Sequence, residues 1–179
     1  AAIAGGHPTT IHDYGLHPHA SVTRIVDEVL EVDPDVVGIT TWTHLYHVCC
    51  EIAQAFKRRR PDLPIVLGGP HVTVFPSETL EEEPAADYTV FGEGELTLTE
   101  LMDGLDPARS VRSKADLPAI EGLVWRDGDR IVKNALRGIN TDIATLPFPA
   151  RDVMEIERYP LRAWSGERMT TMMTSRGCP

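Results

Sequence analysis

The sequence predicts an α/β domain: a doubly wound parallel sheet with helices on both faces. Two observations carry this. Over residues 1–108, short apolar runs alternate with segments of helical apolar period, the order expected of strand–helix–strand crossovers. The runs are continuously apolar rather than alternating, which suits strands buried on both faces.

The elements follow in order. Thr9–His12 is a short β-prone run closed by the turn-like Asp13-Tyr14-Gly15. Val22, Ile25, Val26, Val29 and Leu30 recur at helical spacing, with Ser21 placed to cap the helix start. Val36-Val37-Gly38-Ile39 is a buried strand, and Thr40 to Thr43 a loop. A second helix carries Leu45, Cys49, Ile52, Ala53 and Phe56 on one face and ends in Lys57-Arg58-Arg59-Arg60, basic residues that complement a helix C-terminus. Pro64–Leu67 is the next strand, stopped by Gly68-Gly69-Pro70. Ser77 caps a short helix through Leu80. Tyr88–Phe91 is another strand, Gly92-Glu93-Gly94-Glu95 a turn, and Leu96–Leu105 a helix with Leu98, Leu101, Met102 and Leu105 inward.

Beyond residue 108 the pattern changes. Ile120–Arg126 and Arg130–Lys133 flank Asp127-Gly128-Asp129, a strong hairpin signal. Leu146-Pro147-Phe148-Pro149-Ala150 is a linker, and Met169–Thr174 a last β-like run. The expected division is an α/β domain over 1–108, a hairpin and Pro-containing linker over 109–160, and the start of a further domain over 161–179. Charge divides in the same place. Residues 1–108 hold 5 Lys+Arg against 18 Asp+Glu, a balance of −13; the remainder holds 12 against 9, a balance of +3. The net charge of −10 disfavours a nucleic-acid partner. No apolar run is long enough for a membrane span, and three cysteines, two of them adjacent, suit a reducing cytoplasm rather than a disulfide framework. The chain opens without Met and closes on Gly177-Cys178-Pro179, which reads as a piece of a longer protein.

In open parallel sheets, ligands bind beyond the carboxyl ends of strands. Three loops lie there: Thr40-Thr41-Trp42-Thr43-His44, Gly68-Gly69-Pro70-His71 and Gly92-Glu93-Gly94. Glycine admits close approach of a ligand to backbone, and Thr hydroxyls bond phosphates or amides without carrying charge. The same residues also serve ordinary strand-to-helix turns. No carboxylate or thiol set completes a metal site around His44, His47 or His71, and no residue is assigned a catalytic role.

The ordered series Val37-Gly38-Ile39-Thr40-Thr41, Gly68-Gly69-Pro70-His71 and Phe91-Gly92-Glu93-Gly94-Glu95 resembles the cobalamin-binding domain that precedes many radical S-adenosylmethionine enzymes. The likeness continues through Gly122–Trp125, Leu146–Arg151 and Thr174–Pro179. It implies a flavodoxin-like or Rossmann-like cobalamin fold, with residues 161–179 opening a radical S-adenosylmethionine barrel. It also implies that the Thr40–Thr43 turn, Gly68 and Gly69 line the slot for the cofactor's nucleotide tail, with Trp42, His44, His71 and Glu93 under or beside the corrin. Cys178 is then the first cysteine of a Cys-x3-Cys-x2-Cys set for a [4Fe–4S] cluster in the intact protein. Typical family chemistry is methyl transfer, with ring-forming reactions also known. The cluster cleaves S-adenosylmethionine, the resulting radical abstracts a substrate hydrogen, and the cobalamin supplies the methyl group. The expected partner is the downstream radical domain of the same chain.

Many cobalamin domains carry Asp-x-His-x-x-Gly, with the His as lower cobalt ligand. Thr10–Gly15 matches the His and Gly but lacks the Asp, so no cobalt ligand is assigned. Thr9–His12 is expected as strand two of a 2-1-3-4-5 order, with strand one before residue 1. The alternatives are a non-catalytic flavodoxin-like binding module and a cobalamin-domain relative that has lost its cofactor.

Overall fold

The computed structural model describes residues 5–106, 114–139, 143–154, 156–159, 162 and 165–170. Its centre is a five-stranded sheet. The strands are β1 (Val37–Thr40), β2 (Ile65–Gly68), β3 (Tyr88–Val90), β4 (Leu123–Asp127) and β5 (Arg130–Lys133), lying side by side in that order. β1, β2 and β3 are parallel, with Val37 opposite Ile65 and Val66 opposite Tyr88. β4 runs antiparallel to β3, and β5 antiparallel to β4. The sheet is therefore mixed, not purely parallel. The hairpin expected as a linker extends the sheet, because β3 has a free edge and Leu123–Trp125 pair along it.

The helices are α1 (Val22–Leu30), α2 (Tyr46–Arg59), α3 (Pro70–Val74), α4 (Pro76–Glu82) and α5 (Gly94–Leu105). Two clusters of buried apolar side chains mark the two faces of the sheet. Ile65 and Leu67 of β2 pack with Val26, Ala53, Phe56, Val72 and Leu80, so α1 to α4 share one face. Val66, Tyr88, Val90 and Leu123 pack with Leu101, Leu117 and Ile120 on the other, beneath α5 and the 3-10 turn Lys114–Ala119. Burying these side chains is the main favourable term in folding.

Local chemistry sets the element ends. The Ser21 hydroxyl accepts the Arg24 N–H at 3.2 Å, as its sequence position predicts. Pro70 and Pro76 stand at the first positions of α3 and α4, where a missing N–H costs nothing. The sequence pattern does not predict α3, because Gly68-Gly69-Pro70 signals only the end of a strand. Leu45 lies in a 3-10 turn (Thr43–Leu45) ahead of α2 and is exposed, rather than on that helix's apolar face.

The Thr9–His12 run forms no strand. Its residues are exposed, and among the described residues no strand lies beside them to complete a ladder. The segment instead runs from His7, whose Nε2 lies 3.0 Å from Asp103 on α5, to Tyr14, whose hydroxyl donates to Glu28 on α1 at 2.9 Å. Among the described residues, β1 is therefore the outer strand of the sheet. The N–H groups of Val37 and Thr41 donate to Pro64 and Gly68 of the β2 segment. The alternate residues Gly38 and Thr40 therefore aim their backbone groups at the open side. Of the expected β-run 169–174, residues 169 and 170 are not in a strand, and 171–174 lie outside the described residues, as does Cys178.

One long-range anchor ties the hairpin to the helical layer. The Arg126 guanidinium, from β4, donates to the carbonyls of Leu80 and Glu83 at the end of α4 and to Ala86. The Leu80 carbonyl is among those that a helix C-terminus leaves without intrahelical donors. Replacing Arg126 with Ala is expected to destabilise the fold by about 1.5–3 kcal/mol, the range for hydrogen bonds to a charged group, read from the urea midpoint at unchanged slope.

Candidate functional site

Because β1, β2 and β3 are adjacent and parallel, their carboxyl ends bring the three predicted loops to one edge of the sheet. The first loop is pinned by Thr41. This residue is fully buried, and both its N–H and its hydroxyl donate to the Gly68 carbonyl at 2.7 Å. The Thr41 carbonyl accepts the His71 N–H at 3.2 Å. The second loop thus grips the first from two sides.

Gly69 stands at the crossing. Its φ is +100°, in the region that favours glycine, and a Cβ there would lie 2.8 Å from the Thr41 carbonyl oxygen and 3.0 Å from its nitrogen. Gly68 is different. A Cβ on it would make only an ordinary contact with the Val90 carbonyl, at 3.6 Å. Of the two glycines read together from sequence, Gly69 is required by the crossing itself, and Gly68 borders open space.

The third loop is tied in through α3. The Thr73 hydroxyl donates to the Gly69 carbonyl at 3.1 Å and accepts the Gly92 N–H at 3.3 Å. Gly92 has φ +74° and packs under Leu136. Glu93 precedes α5 without capping it through its side chain. Glu93 instead lines a cavity of about 480 Å³ on the flank of the domain, beside Leu96, Arg137 and Ile139. Gly94 lets α5 start against the Val90 side chain, 3.1 Å from where its Cβ would stand.

Below the loops, the sheet carries an uncovered patch. Strand alternation puts Gly38 and Thr40 of β1 on the same face as Gly68 of β2, opposite the face of Ile39 and Leu67. Gly38 and Thr40 are exposed, and a Cβ on Gly38 would meet nothing within 4 Å. α5 covers β3 on this face but not the outer part of β1. Among the described residues, Gly38, Thr40 and Gly68 therefore form a strip of small side chains that leads to the strand ends, shallow as a trough and open on this face.

The loops differ in how they present side chains. Trp42, Thr43 and His44 are exposed, with the Trp42 and His44 rings 6.4 Å apart. Pro70 is exposed at the start of α3. His71 is buried: its ring stacks on Tyr46 at 4.1 Å, leans on Phe75 at 5.3 Å and lies 3.3 Å from the Thr43 hydroxyl through Nδ1. Sequence reasoning named His71 but not its aromatic partners. The i, i+4 spacing of His71 and Phe75 across a Pro-initiated turn was the available signal.

Burial dominates the local acid–base behaviour. It raises the Tyr46 phenol and the Cys49 thiol, and pushes the Cys50 thiol up to about 11. Cys49 donates its S–H to the Thr40 carbonyl. Among the described residues, no group of three His, Cys, Asp or Glu could hold a metal ion, and no helix is long and apolar enough to cross a membrane.

Two expectations follow. Gly69→Ala should lower stability by about 1–3 kcal/mol, the scale of a strained φ, while Gly68→Ala stays near wild type in the same thermal melt. Cys50 should resist iodoacetamide at pH 8, where a thiol of raised pKa holds little thiolate, with labelling climbing only toward pH 11 in peptide mass maps.

Comparison with known proteins gives a consistent picture. Residues 1–102 match the family described as the B12 binding domain. An uncharacterized methyltransferase, PH0819, of Pyrococcus horikoshii is 33% identical over 165 residues, covering 92% of this chain and 34% of that protein. The anaerobic magnesium-protoporphyrin IX monomethyl ester cyclase of Synechocystis is 26% identical over 179 residues, 99% of this chain and 34% of the cyclase. The cobalamin-dependent radical SAM methyltransferase TokK of Streptomyces tokunonensis is 30% identical over 161 residues, 89% of this chain and 23% of TokK. The chain thus spans about a third or less of these relatives' lengths. Among solved structures, the cobalamin-dependent S-adenosylmethionine radical enzyme OxsB shares the fold, with a TM-score of 0.53 at 20% identity over 68% of this chain and 16% of OxsB.

Proposed function

The chain belongs to the B12-binding domain family, and from that premise we propose that the trough on β1 and β2 receives the nucleotide tail of cobalamin. The observation that carries the reading is the floor of Gly38, Thr40 and Gly68, which no described residue covers. Side chains at the two glycines would fill it, and α5 leaves it open. The donor set also fits. Cobalamin is a large, largely neutral ligand edged with amides, and the trough and its loops offer Thr hydroxyls and backbone groups rather than charges. The cofactor supplies group-transfer chemistry at its cobalt; this chain supplies binding and orientation.

Each loop then has a task. Thr40 and Gly68 flank the tail, and Thr41 and Gly69 hold the crossing that shapes the slot. Trp42 and His44 face the corrin from one side, with Thr43 between them in the same turn. Pro70 and the backbone around His71 border it from the second, and Gly92, Glu93 and Gly94 close the third. No residue of the chain is assigned a chemical step, and no side chain is assigned to cobalt.

The intact protein is proposed to be a cobalamin-dependent radical S-adenosylmethionine enzyme of methyltransferase type. The name of TokK supports that class, and the name of the Pyrococcus relative supports methyl transfer alone. In this reading residues 1–108 hold the cofactor, 109–160 add the hairpin that extends the sheet and then lead onward, and 161–179 open the radical domain. Cys178 ligates its [4Fe–4S] cluster, S-adenosylmethionine binds downstream, and the radical domain of the same chain is the partner. We place the protein in the cytoplasm, with neither nucleic acid nor membrane as partner. A non-catalytic flavodoxin-like module is not favoured, because the family match covers residues 1–102.

The test is a visible absorption titration of the full chain with hydroxocobalamin, beside a Gly38→Phe variant. Wild type should give a saturable spectral shift. The variant should melt like wild type, since its new side chain enters open space, yet lose binding by about 100-fold or more, a change of roughly 2.7 kcal/mol. A folded wild type that leaves the spectrum of the free cofactor unchanged would sink the reading.

A further inference from the structure

Trp42 is an exposed aromatic held between two anchored residues. On its N-terminal side, Thr41 is buried and bonded to Gly68. On its C-terminal side, the Thr43 hydroxyl lies 3.3 Å from Nδ1 of His71. In either ring tautomer one of these two groups donates and the other accepts. Trp42 itself remains 51% exposed. An exposed side chain of that size keeps a defined direction only if the backbone on both sides of it is fixed.

The imidazole is an odd choice for the space it fills. His71 is 8% exposed, and its ring stacks on Tyr46 and is tilted against Phe75. A Phe or Leu would pack there without desolvating polar nitrogens, and burying a polar ring is unfavourable unless it is bonded. The nitrogen facing the first loop finds its partner on that exposed loop, not in the core. The stack alone already seats α3 against α2, so what the nitrogen adds is a link between the second loop and the first.

We propose that His71 is a positioning residue, whose buried ring holds Thr43 and thereby fixes the Trp42–His44 loop in the shape that receives the corrin. This rests on the cobalamin reading above and deepens it. His71 does not touch the cofactor in this account. It acts through Thr43, as Thr41 acts through Gly68, and the two anchors together present Trp42 and His44 to the ligand.

The test is a cycle of variants in the full chain, read by hydroxocobalamin titration with a thermal melt of each. His71→Phe keeps the aromatic stack and removes the bond; Thr43→Val removes the same bond from the other side. Each should weaken affinity by about tenfold, the scale of one hydrogen bond. The double variant should be no weaker than either single one, because both remove one interaction. Thr43→Ser, which restores the hydroxyl, should bind within about twofold of wild type on the same scale. Wild-type affinity in either single variant overturns the proposal. So do losses that add in the double variant, which would mean Thr43 contacts the cofactor by itself. If His71→Phe fails to fold, Thr43→Val against Thr43→Ser decides: a hydroxyl without effect on affinity overturns it. Absence of binding to wild type is a different result, and sinks the cofactor reading rather than the role of His71 within it.

Discussion

The close crossing of Gly69 over Thr41 is the constraint on which the candidate site depends. Two strand ends approach until backbone meets backbone, with room for a hydrogen but not a methyl group. That approach lets one carbonyl, on Gly68, accept both donors of Thr41. It also brings the His71 N–H within reach of the Thr41 carbonyl. Interiors are packed densely enough that such a contact moves its neighbours if it is lost. Everything presented at the carboxyl edge is oriented relative to this one point.

The sheet distributes its covering unevenly, and the unevenness creates the trough. α1 to α4 pack over one face and bury Ile65 and Leu67 completely. On the other face, among the described residues, α5 and the 3-10 turn at 114–119 cover β2, β3 and β4 but not the outer part of β1. A bare apolar strand would be a liability at a sheet edge. Here the bare positions are Gly38 and Thr40, which expose little hydrocarbon. The same small residues that make the edge tolerable leave the space a flat or elongated ligand can enter.

The hairpin shows how a segment of different composition is recruited into the same unit. Its residues belong to the basic part of the sequence, yet β4 pairs with β3 and Val124 joins the core under α4. Arg126 reaches across to the carbonyls that end α4. Charge asymmetry along the chain therefore marks a change of local environment, not a break in the sheet.

The periodicity of residues 22–30, 45–56 and 96–105, the apolar runs at 36–39, 64–67 and 88–91, and the Asp-Gly turn by themselves determined α1, α2, α5, the three parallel strands and the hairpin to within a residue or two. Each rests on local preference and on which face must be buried. The three loops and their glycines were equally legible, because strand ends in parallel sheets are where ligands bind. Four matters belonged to the tertiary structure alone. Thr9–His12 forms no strand, since β propensity needs a neighbour to pair with. The hairpin continues the sheet, since only the free edge of β3 could show that. Gly69 is held by sterics while Gly68 borders open space, a difference that two identical letters cannot carry. His71 turns inward against Tyr46 and Phe75 rather than outward, because its direction is decided by contacts between loops far apart in the chain.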